Sequence, residues 1–169
     1  MIRRLEALSD TDIGELADVL VDCVEGGASV SFMLPLTRDR ARTFWRSLAE
    51  DVTQGHRLLF VARDAAGIVG TVQAILSQPE NQPHRADVAK MLVHRRGRRG
   101  GLGAALIQAA EDGARAAGKT LLVLDTATGS DAERLYERLG WQRAGVIPDY
   151  ALWPHGGLCA TTLFYRRLA

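Results

Sequence analysis

The residues with the clearest capacity for chemistry are the arginines and glycines between Val93 and Ala104, where the chain runs Val-His-Arg-Arg-Gly-Arg-Arg-Gly-Gly-Leu-Gly-Ala. Glycine lets the backbone approach a ligand closely and adopt a positive φ. The amides of such a loop, with the free N–H groups at the start of a following helix, form a donor site for an anion. Arginines add charge and paired donors suited to phosphate oxygens. The run therefore predicts a loop that binds a pyrophosphate.

Two regular elements are needed to position this loop. Residues 86–93 are rich in apolar side chains and predict a strand, while Leu102, Leu106, Ala109 and Ala110 recur at helical spacing. The loop thus joins a strand to a helix. It is not a nucleotide P-loop, which needs Lys-Ser or Lys-Thr after its glycines, and its glycine spacing differs from that of dinucleotide-binding loops.

The composition is that of an ordinary globular domain. With 169 residues, 47% of them hydrophobic and 24% charged, we expect one domain spanning residues 1–169. A net charge of +1 gives no general attraction to a membrane or to nucleic acid, and a nucleic-acid function would rest on the arginines of residues 95–99 alone. Cys23 and Cys159 lie far apart without metal-type spacing, so no metal is expected. The sequence has no signal peptide or membrane span, and we expect a cytoplasmic location.

Hydrophobic periodicity, caps and turn residues predict elements in the order β-α-α-β-β-β-α-β-α-β-β. The predicted strands cover residues 2–8, 56–63, 68–77, 86–93, 121–126, 141–147 and 158–164. The predicted helices run from a cap at Ser9 to Gly26, from a cap at Thr37 to about Val52, from Leu102 to Gly118, and from a cap at Ser130 or Asp131 to Gly140. The alternation of strands and helices predicts an α/β fold.

Five residues of the anion loop match a known motif. Val93, Arg98, Gly101, Leu102 and Gly103 stand at the corresponding positions of Val-x-x-x-x-Arg-Gly-x-Gly-Ile/Leu-Gly, the acyl-CoA pyrophosphate loop of the GNAT superfamily. The sequence therefore resembles this superfamily of N-acetyltransferases, although an arginine replaces the first glycine of the motif. The replacement is mild because the loop works mainly through backbone amides.

A second signature supports the same resemblance. The segment Ala132-x-x-x-Tyr136-x-x-x-Gly140-Trp141 resembles the family's Ala-x-x-x-Tyr-x-x-x-Gly-Phe, and the predicted element order is that of the GNAT fold. The resemblance implies an α/β (α+β) fold with a central mixed, mostly antiparallel sheet of about seven strands flanked by four helices. A splayed strand pair in that sheet forms the coenzyme A cleft. The resemblance also implies acetyl-CoA as cosubstrate and no metal.

The resemblance assigns residues to the coenzyme. Amides from Arg99 to Ala104 would hold the pyrophosphate, and backbone groups of Met91 and Val93 would pair with the pantetheine arm and polarise the thioester carbonyl. Ser130 either contacts the coenzyme or only caps a helix. The expected coenzyme site comprises Met91, Leu92, Val93, Arg98, Arg99, Gly100, Gly101, Leu102, Gly103, Ala104, Ser130 and Tyr136.

Three residues are expected to carry the acetyl transfer. Tyr136 would protonate the leaving thiolate, while Asp87 and Asp125 would accept the proton of the amine, directly or through water, or hold the substrate ammonium. Each also has a purely structural interpretation. Tyr136 would then be a core aromatic, Asp87 an ion-pair partner of Arg85 or Arg95, and Asp125 the cap of a turn.

A closer resemblance concerns the acceptor. Residues 85–93, 124–130 and 148–150 are similar to those of tabtoxin resistance acetyltransferases, which acetylate a small, amino-acid-like toxin. We therefore predict transfer of an acetyl group to the primary amine of a small molecule, such as a toxin, an antibiotic or a metabolite. The alternatives are a protein N-terminal or lysine acetyltransferase and a non-catalytic coenzyme A sensor. Both a monomer and a homodimer fit the sequence.

The acceptor pocket is expected in three segments whose sequences are hardest to interpret, residues 26–36, 78–84 and 148–157. Trp45, Tyr150 and Trp153 would either line this pocket or pack in the core.

Overall fold

The computed structural model describes all 169 residues and contains one seven-stranded sheet. The strands are β1 (Ile2–Leu5), β2 (Arg57–Asp64), β3 (Gly67–Ile75), β4 (Arg85–Val93), β5 (Leu121–Ala127), β6 (Gln142–Leu152) and β7 (Leu158–Arg167). The helices are α1 (Asp10–Glu25), α2 (Arg38–Ser47), α3 (Ala49–Thr53), α4 (Leu102–Ala116) and α5 (Asp131–Arg138), with a short 3₁₀ helix over Arg95–Gly97.

The sheet has the strand order β1-β2-β3-β4-β5-β7-β6. Strands β4 and β5 are its one parallel pair, and all other neighbours are antiparallel. The predicted mixed, mostly antiparallel sheet of seven strands is therefore confirmed.

Alternating apolar side chains produce a hydrophobic core on each face of the sheet. On β2, Leu58 and Phe60 belong to the core that includes α4, whereas Leu59 and Val61 belong to the core that includes α1 and Trp45 of α2. This division follows because successive side chains of a strand point to opposite faces. The sheet is thus covered on both sides, and access to its interior depends on gaps between strands.

The predicted helix starts are confirmed by their caps. The hydroxyl of Ser9 accepts a hydrogen bond from the N–H of Asp12 at 3.1 Å, and the Asp12 side chain bonds back to the N–H of Ser9 at 3.0 Å. Thr37 caps α2 by accepting from the N–H of Arg40 at 3.2 Å. These local bonds fix where α1 and α2 begin.

Several bounds differ from those predicted, and three of the differences concern a whole element or its end. The helix expected over residues 37–52 is divided at Leu48 into α2 and α3, so four predicted helices appear as five segments. Strand β1 ends at Leu5 instead of residue 8. Strand β6 continues through Pro148 to Leu152, where a loop was predicted. An edge strand tolerates proline because its outward N–H needs no partner, and the register of β6 against β7 shifts at this point.

None of the helices combines the length with the apolar composition that crossing a membrane requires.

Candidate active site

The site is built on the gap between β4 and β5. Their parallel pairing covers only three residue pairs, from Arg85–Leu121 to Asp87–Val123, although both strands continue. Beyond Asp87 the edge of β4 that faces β5 has no paired strand. The splayed strand pair predicted from the sequence is therefore present, and it leaves backbone groups available to an extended ligand.

A cavity of about 370 Å³ lies where the two strands separate. Its walls are mostly apolar, but two carboxylates, Asp87 and Asp125, contribute to them. The lining residues are Ile75, Asp87, Val88, Ala89, Val123, Leu124, Asp125 and Leu163. Apolar walls with a few converging polar groups are typical of a small-molecule site.

The loop after β4 presents a run of free amides. The N–H groups from Arg99 to Ala104 donate to no protein acceptor, and the first intrahelical bond in this region is from Ala105 to the carbonyl of Gly101 at 3.1 Å. These six consecutive donors coincide with the N-terminus of α4, where the helix dipole favours negative charge. The geometry fits a pyrophosphate.

Glycine is required in this loop for two separate reasons. Gly101 precedes α4 with φ of 77°, a conformation that L side chains rarely adopt. A Cβ at Gly103 would stand 2.9 Å from Cδ2 of Leu135 and 3.8 Å from the sulfur of Met91, so this glycine allows α4 to approach α5 and β4 closely. Arg99 also has a positive φ, of 66°.

Arg98 lies beside the loop but is directed back toward the body of the domain. Its Nε donates to the carbonyl of Val93 at 3.2 Å, and that carbonyl also lies 3.5 Å from the thiol of Cys23. Burial raises the pKa of this thiol, an effect that the nearby Arg98 charge opposes. The side chain of Arg98 therefore braces the end of β4 against α1.

Tyr136 is buried on the inner face of α5. Its ring packs 5.7 Å from the ring of Trp141 and 5.9 Å from that of Phe164, so the predicted core contact exists. Its hydroxyl forms no hydrogen bond with another protein group. Burial, with the charge of Asp125, raises the pKa of Tyr136 well above its ordinary value, so the phenol stays protonated. It is thus available as a donor.

The carboxylates of Asp87 and Asp125 differ in how many of their oxygens already have protein partners. Asp87 forms an ion pair with Arg85, as its structural interpretation predicted, and accepts from the side-chain amide of Gln78 at 3.1 Å. One oxygen of Asp125 accepts from the hydroxyl of Thr161 at 2.9 Å, and the other has no partner. Asp125 therefore has the freer carboxylate.

Ser130 acts as the N-cap of α5. Its hydroxyl accepts from the N–H of Glu133 at 3.1 Å, while Glu133 bonds back to the N–H of Gly129. This is the capping interpretation that the sequence left open. The hydroxyl also lies 3.4 Å from that of Thr126.

The three aromatic residues expected near the acceptor are divided between core and surface, and Trp153, in the turn after β6, is half-buried. Trp45 is completely buried among core residues of α1 and β2, and Tyr150 lies on the exposed edge strand β6 with 54% of its surface accessible. The segment between α1 and α2 is joined to the end of β6 and to the turn that follows it. Leu34 donates its N–H to the carbonyl of Pro154 at 3.1 Å, and the Ser29 hydroxyl bonds to the carbonyl of Leu152 at 3.3 Å.

Sequence reasoning missed Asp22, which stabilises the start of the anion loop. Its buried carboxylate accepts from the N–H of Arg95 at 2.8 Å, pairs with the guanidinium of that residue, and lies 3.6 Å from Nε2 of His94. Nδ1 of His94 accepts from the N–H of Arg96 at 3.1 Å, so the ring proton is on Nε2, facing Asp22. No local pattern predicts a contact over 73 positions.

Lys90 was also missed, and it directly follows Ala89, which lines the cavity. It occupies a bulge in β4, where the register against β3 shifts, and has a positive φ of 50°. Burial lowers the pKa of its ammonium, an effect that Asp125 opposes and Arg57 reinforces. One sequence signal was available: Lys90 and Lys119 are the only lysines among 21 basic residues.

No group of three His, Cys, Asp or Glu side chains stands close enough together to hold a metal ion.

Comparison with known proteins agrees with this geometry. The family model of the acetyltransferase (GNAT) domain matches residues 55–143, which span β2 to the start of β6. An uncharacterized N-acetyltransferase encoded in the hisH-hisA intergenic region of Azospirillum brasilense is 29% identical over 126 residues, covering 73% of each chain.

Solved structures with the same fold cover the whole chain. An N-acetyltransferase from Staphylococcus aureus Mu50 superposes with a TM-score of 0.81 at 17% identity, covering 100% of this chain and 98% of its own. A ribosomal-protein-alanine N-acetyltransferase from Brucella melitensis gives 0.80 at 18% identity, covering 99% of both chains. The yncA protein of Salmonella typhimurium, solved with its cofactor acetyl-CoA, gives 0.80 at 17% identity, covering 100% of this chain and 94% of its own.

Proposed function

Because this chain belongs to the GNAT family of N-acetyltransferases, we propose that it transfers the acetyl group of acetyl-CoA to the primary amine of a small molecule. One observation carries the proposal. Six free amides, from Arg99 to Ala104, stand at the open end of the β4–β5 gap, and the carboxylates of Asp87 and Asp125 line the cavity at its closed end. A similar fold was solved with acetyl-CoA.

The coenzyme would be held along β4. The loop amides and the N-terminus of α4 bind the pyrophosphate, and the unpaired edge of β4 from Val88 to Val93 offers backbone groups to the pantetheine arm, as an added strand would. An amide of this edge, at Met91 in our assignment, polarises the thioester carbonyl as negative charge develops on its oxygen. The thioester carbon then lies in the cavity between β4 and β5.

The acceptor amine must lose a proton before it attacks, because an alkylamine with a pKa near 10 is mostly protonated at neutral pH. We assign Asp125 to hold the ammonium and to accept its proton, directly or through a water. By the register of β4 and β5, Asp125 stands level with Ala89, two positions nearer the open end than Asp87. The new C–N bond forms as the C–S bond breaks.

Tyr136 is assigned to the leaving group. Its protonated phenol has no protein acceptor, and it would donate to the sulfur as that atom gains negative charge. Asp87, which is already paired with Arg85, would orient the acceptor instead of removing its proton.

A small acceptor is favoured over a polypeptide. The hydrogen bonds of Leu34 and Ser29 join the α1–α2 segment to the end of β6 and the turn after it, and Ser31 of the same segment contacts Lys90 of β4, so these segments would restrict the space for an extended peptide. The resemblance of residues 85–93, 124–130 and 148–150 to tabtoxin resistance acetyltransferases supports an amino-acid-like toxin, antibiotic or metabolite as the acceptor.

The proposal is tested by thiol release. Purified protein with acetyl-CoA is assayed against free amino acids, aminoglycosides, polyamines and short peptides. We expect thiol release with at least one small amine and none with peptides. Turnover confined to peptides would indicate the protein acetyltransferase alternative. Binding of coenzyme A by calorimetry without any transfer would indicate the sensor alternative.

A further inference from the structure

Lys90 is a cation of the cleft region without a counter-ion. Its Nζ lies 3.3 Å from the hydroxyl of Ser31 and 5.7 Å from the centre of the Phe44 ring, and no carboxylate stands within ion-pair distance. The neighbouring carboxylate on the same strand, Asp87, is neutralised by Arg85. A half-buried ammonium with only a hydroxyl and an aromatic face as partners is a site for an anion.

The backbone at Lys90 is held in a costly conformation. Lys90 has a φ of 50°, which L side chains rarely adopt, and such a conformation persists only where surrounding contacts enforce it. The bulge that produces this φ separates Lys90 from the regular pairing of β4 with β3. The strain therefore coincides with the placement of the ammonium beside Ser31 and Phe44.

A second cation and several unpaired donors lie on the same face of the sheet. The guanidinium of Arg57 bonds to the side-chain oxygen of Gln73, and Gln73 is paired across strands with Ala89, next to Lys90. Nε of Arg57, the amide nitrogen of Gln73 and the indole nitrogen of Trp45 are buried without acceptors. Arg57 also forms an ion pair with the carboxylate of Asp51 at 3.7 Å. On this face of the sheet, buried N–H donors thus outnumber the protein acceptors that are available to them.

We propose that Lys90, supported by Arg57, binds an anionic oxyacid group of the acceptor, such as a carboxylate or a phosphonate. This inference rests on the proposed function and specifies its acceptor. The acceptor is then a zwitterion, with its anion beside Lys90 and its amine beside Asp125. Lys90 determines specificity and does not take part in the transfer itself.

The test compares acceptors that differ only in this charge. Free amino acids, their carboxamides and aminoalkylphosphonates are assayed by thiol release with wild-type protein, Lys90→Gln, Lys90→Arg and the control Arg115→Gln. Arg115 is an exposed cation on α4 that pairs with Asp112. We expect the wild-type protein to prefer an anionic acceptor over its carboxamide at least about tenfold in kcat/KM, since a charged hydrogen bond is lost with the amide.

Lys90→Gln should abolish that preference by raising the KM of the anionic acceptor, with the KM for acetyl-CoA and the turnover of the carboxamide changed less than about twofold. Lys90→Arg should restore most of the preference, and Arg115→Gln should keep all of it. A wild-type protein that acetylates carboxamides as well as free acids, or a Lys90→Gln protein that still discriminates, overturns the inference and leaves the proposed function intact. Absence of turnover with every amine overturns both.

Discussion

At Tyr136, the hydroxyl group alone would carry the catalytic role that we propose, whereas the ring packs in the core. The ring packs against Trp141 and Phe164 whether or not the hydroxyl is present, and the hydroxyl contributes no hydrogen bond to the fold. The observed packing and the proposed catalytic role therefore belong to different atoms of this side chain. Removal of the hydroxyl alone isolates its chemical role.

Tyr136→Phe should lower kcat about 100-fold or more, which is the scale of a lost general acid, with little change in the KM for acetyl-CoA or in Tm. Steady-state kinetics and a thermal melt measure these quantities. A variant with wild-type kcat would limit Tyr136 to its packing role.

The raised pKa of Tyr136 makes a prediction about pH. Burial and the charge of Asp125 stabilise the neutral phenol, so its proton is retained beyond the ordinary value of 10.0. The donor form is present below the pKa and is lost only above it. We therefore expect no fall in kcat on the alkaline side up to about pH 10, the ordinary tyrosine value. A kcat that halves between pH 8 and 9 in wild type, but not in Tyr136→Phe, would contradict this.

Replacing Asp125 or Asp87 by asparagine should change the kinetics in different ways. Asp125→Asn removes the freer carboxylate, so we expect kcat to fall about 100-fold at pH 7, with partial recovery at higher pH where more of the amine is already deprotonated. Asp87→Asn leaves Arg85 without its ion-pair partner and should mainly raise the KM of the acceptor. The pH profiles of both variants distinguish these roles, and the reverse order would move the proton-accepting role to Asp87.

At the scale of elements, the anion loop depends on how closely α4 approaches its neighbours. Gly103 faces Leu135 of α5, and Asp22 of α1 bonds to the start of the loop. The free amides are therefore positioned by two other helices as well as by the glycines. Any change that displaces α4 should be detected in coenzyme affinity.

Gly103→Ala tests this dependence. Its Cβ would stand 2.9 Å from Leu135, so α4 and α5 must separate slightly. We expect a loss of stability of about 1–3 kcal/mol, as for other overpacked sites, and a rise of about tenfold in the KM for acetyl-CoA. Gly145→Ala is the matched control, because no atom lies within 4 Å of its Cβ and its φ is not positive. Equal behaviour of the two variants would contradict the packing argument.

At the scale of the whole molecule, one sheet runs through the protein, and its strands β4 and β5 separate near the middle of that sheet. Helices cover both faces, each over its own hydrophobic core, and the only parallel strand pair is the one that separates. A ligand in this gap would replace the missing pairing and contact both halves of the sheet. Its binding should therefore stabilise the whole domain.

Acetyl-CoA at 100 times its Kd should add about 2.7 kcal/mol to the free energy of unfolding. For a domain of this size that corresponds to a rise in Tm of about 5–10 °C. Thermal melts with and without acetyl-CoA measure the shift, and Gly103→Ala should show a smaller shift at the same concentration. An unchanged Tm at millimolar acetyl-CoA would contradict coenzyme binding in the gap.

The sequence by itself determined the features that depend on neighbouring residues. Helix caps at Ser9, Thr37 and Ser130 and the glycine loop before α4 all arise from interactions within a few positions of the chain. Local energetics therefore predicted most element bounds, the order of the elements and the free amides of the loop. The division of the helix at Leu48 and the extension of β6 past Pro148 were not predicted, because both depend on neighbouring elements.

Only the tertiary structure decided which side chains meet. Asp22 and Arg95 are 73 positions apart, and the ammonium of Lys90 meets Ser31, 59 positions away, only after α1, α2 and the sheet have packed. The burial of Trp45 was likewise settled by packing. Contacts of this kind leave no periodic pattern in the sequence. Bringing residues together across a long loop costs conformational entropy, and the packing of the whole core offsets that cost, not bonds between neighbouring residues.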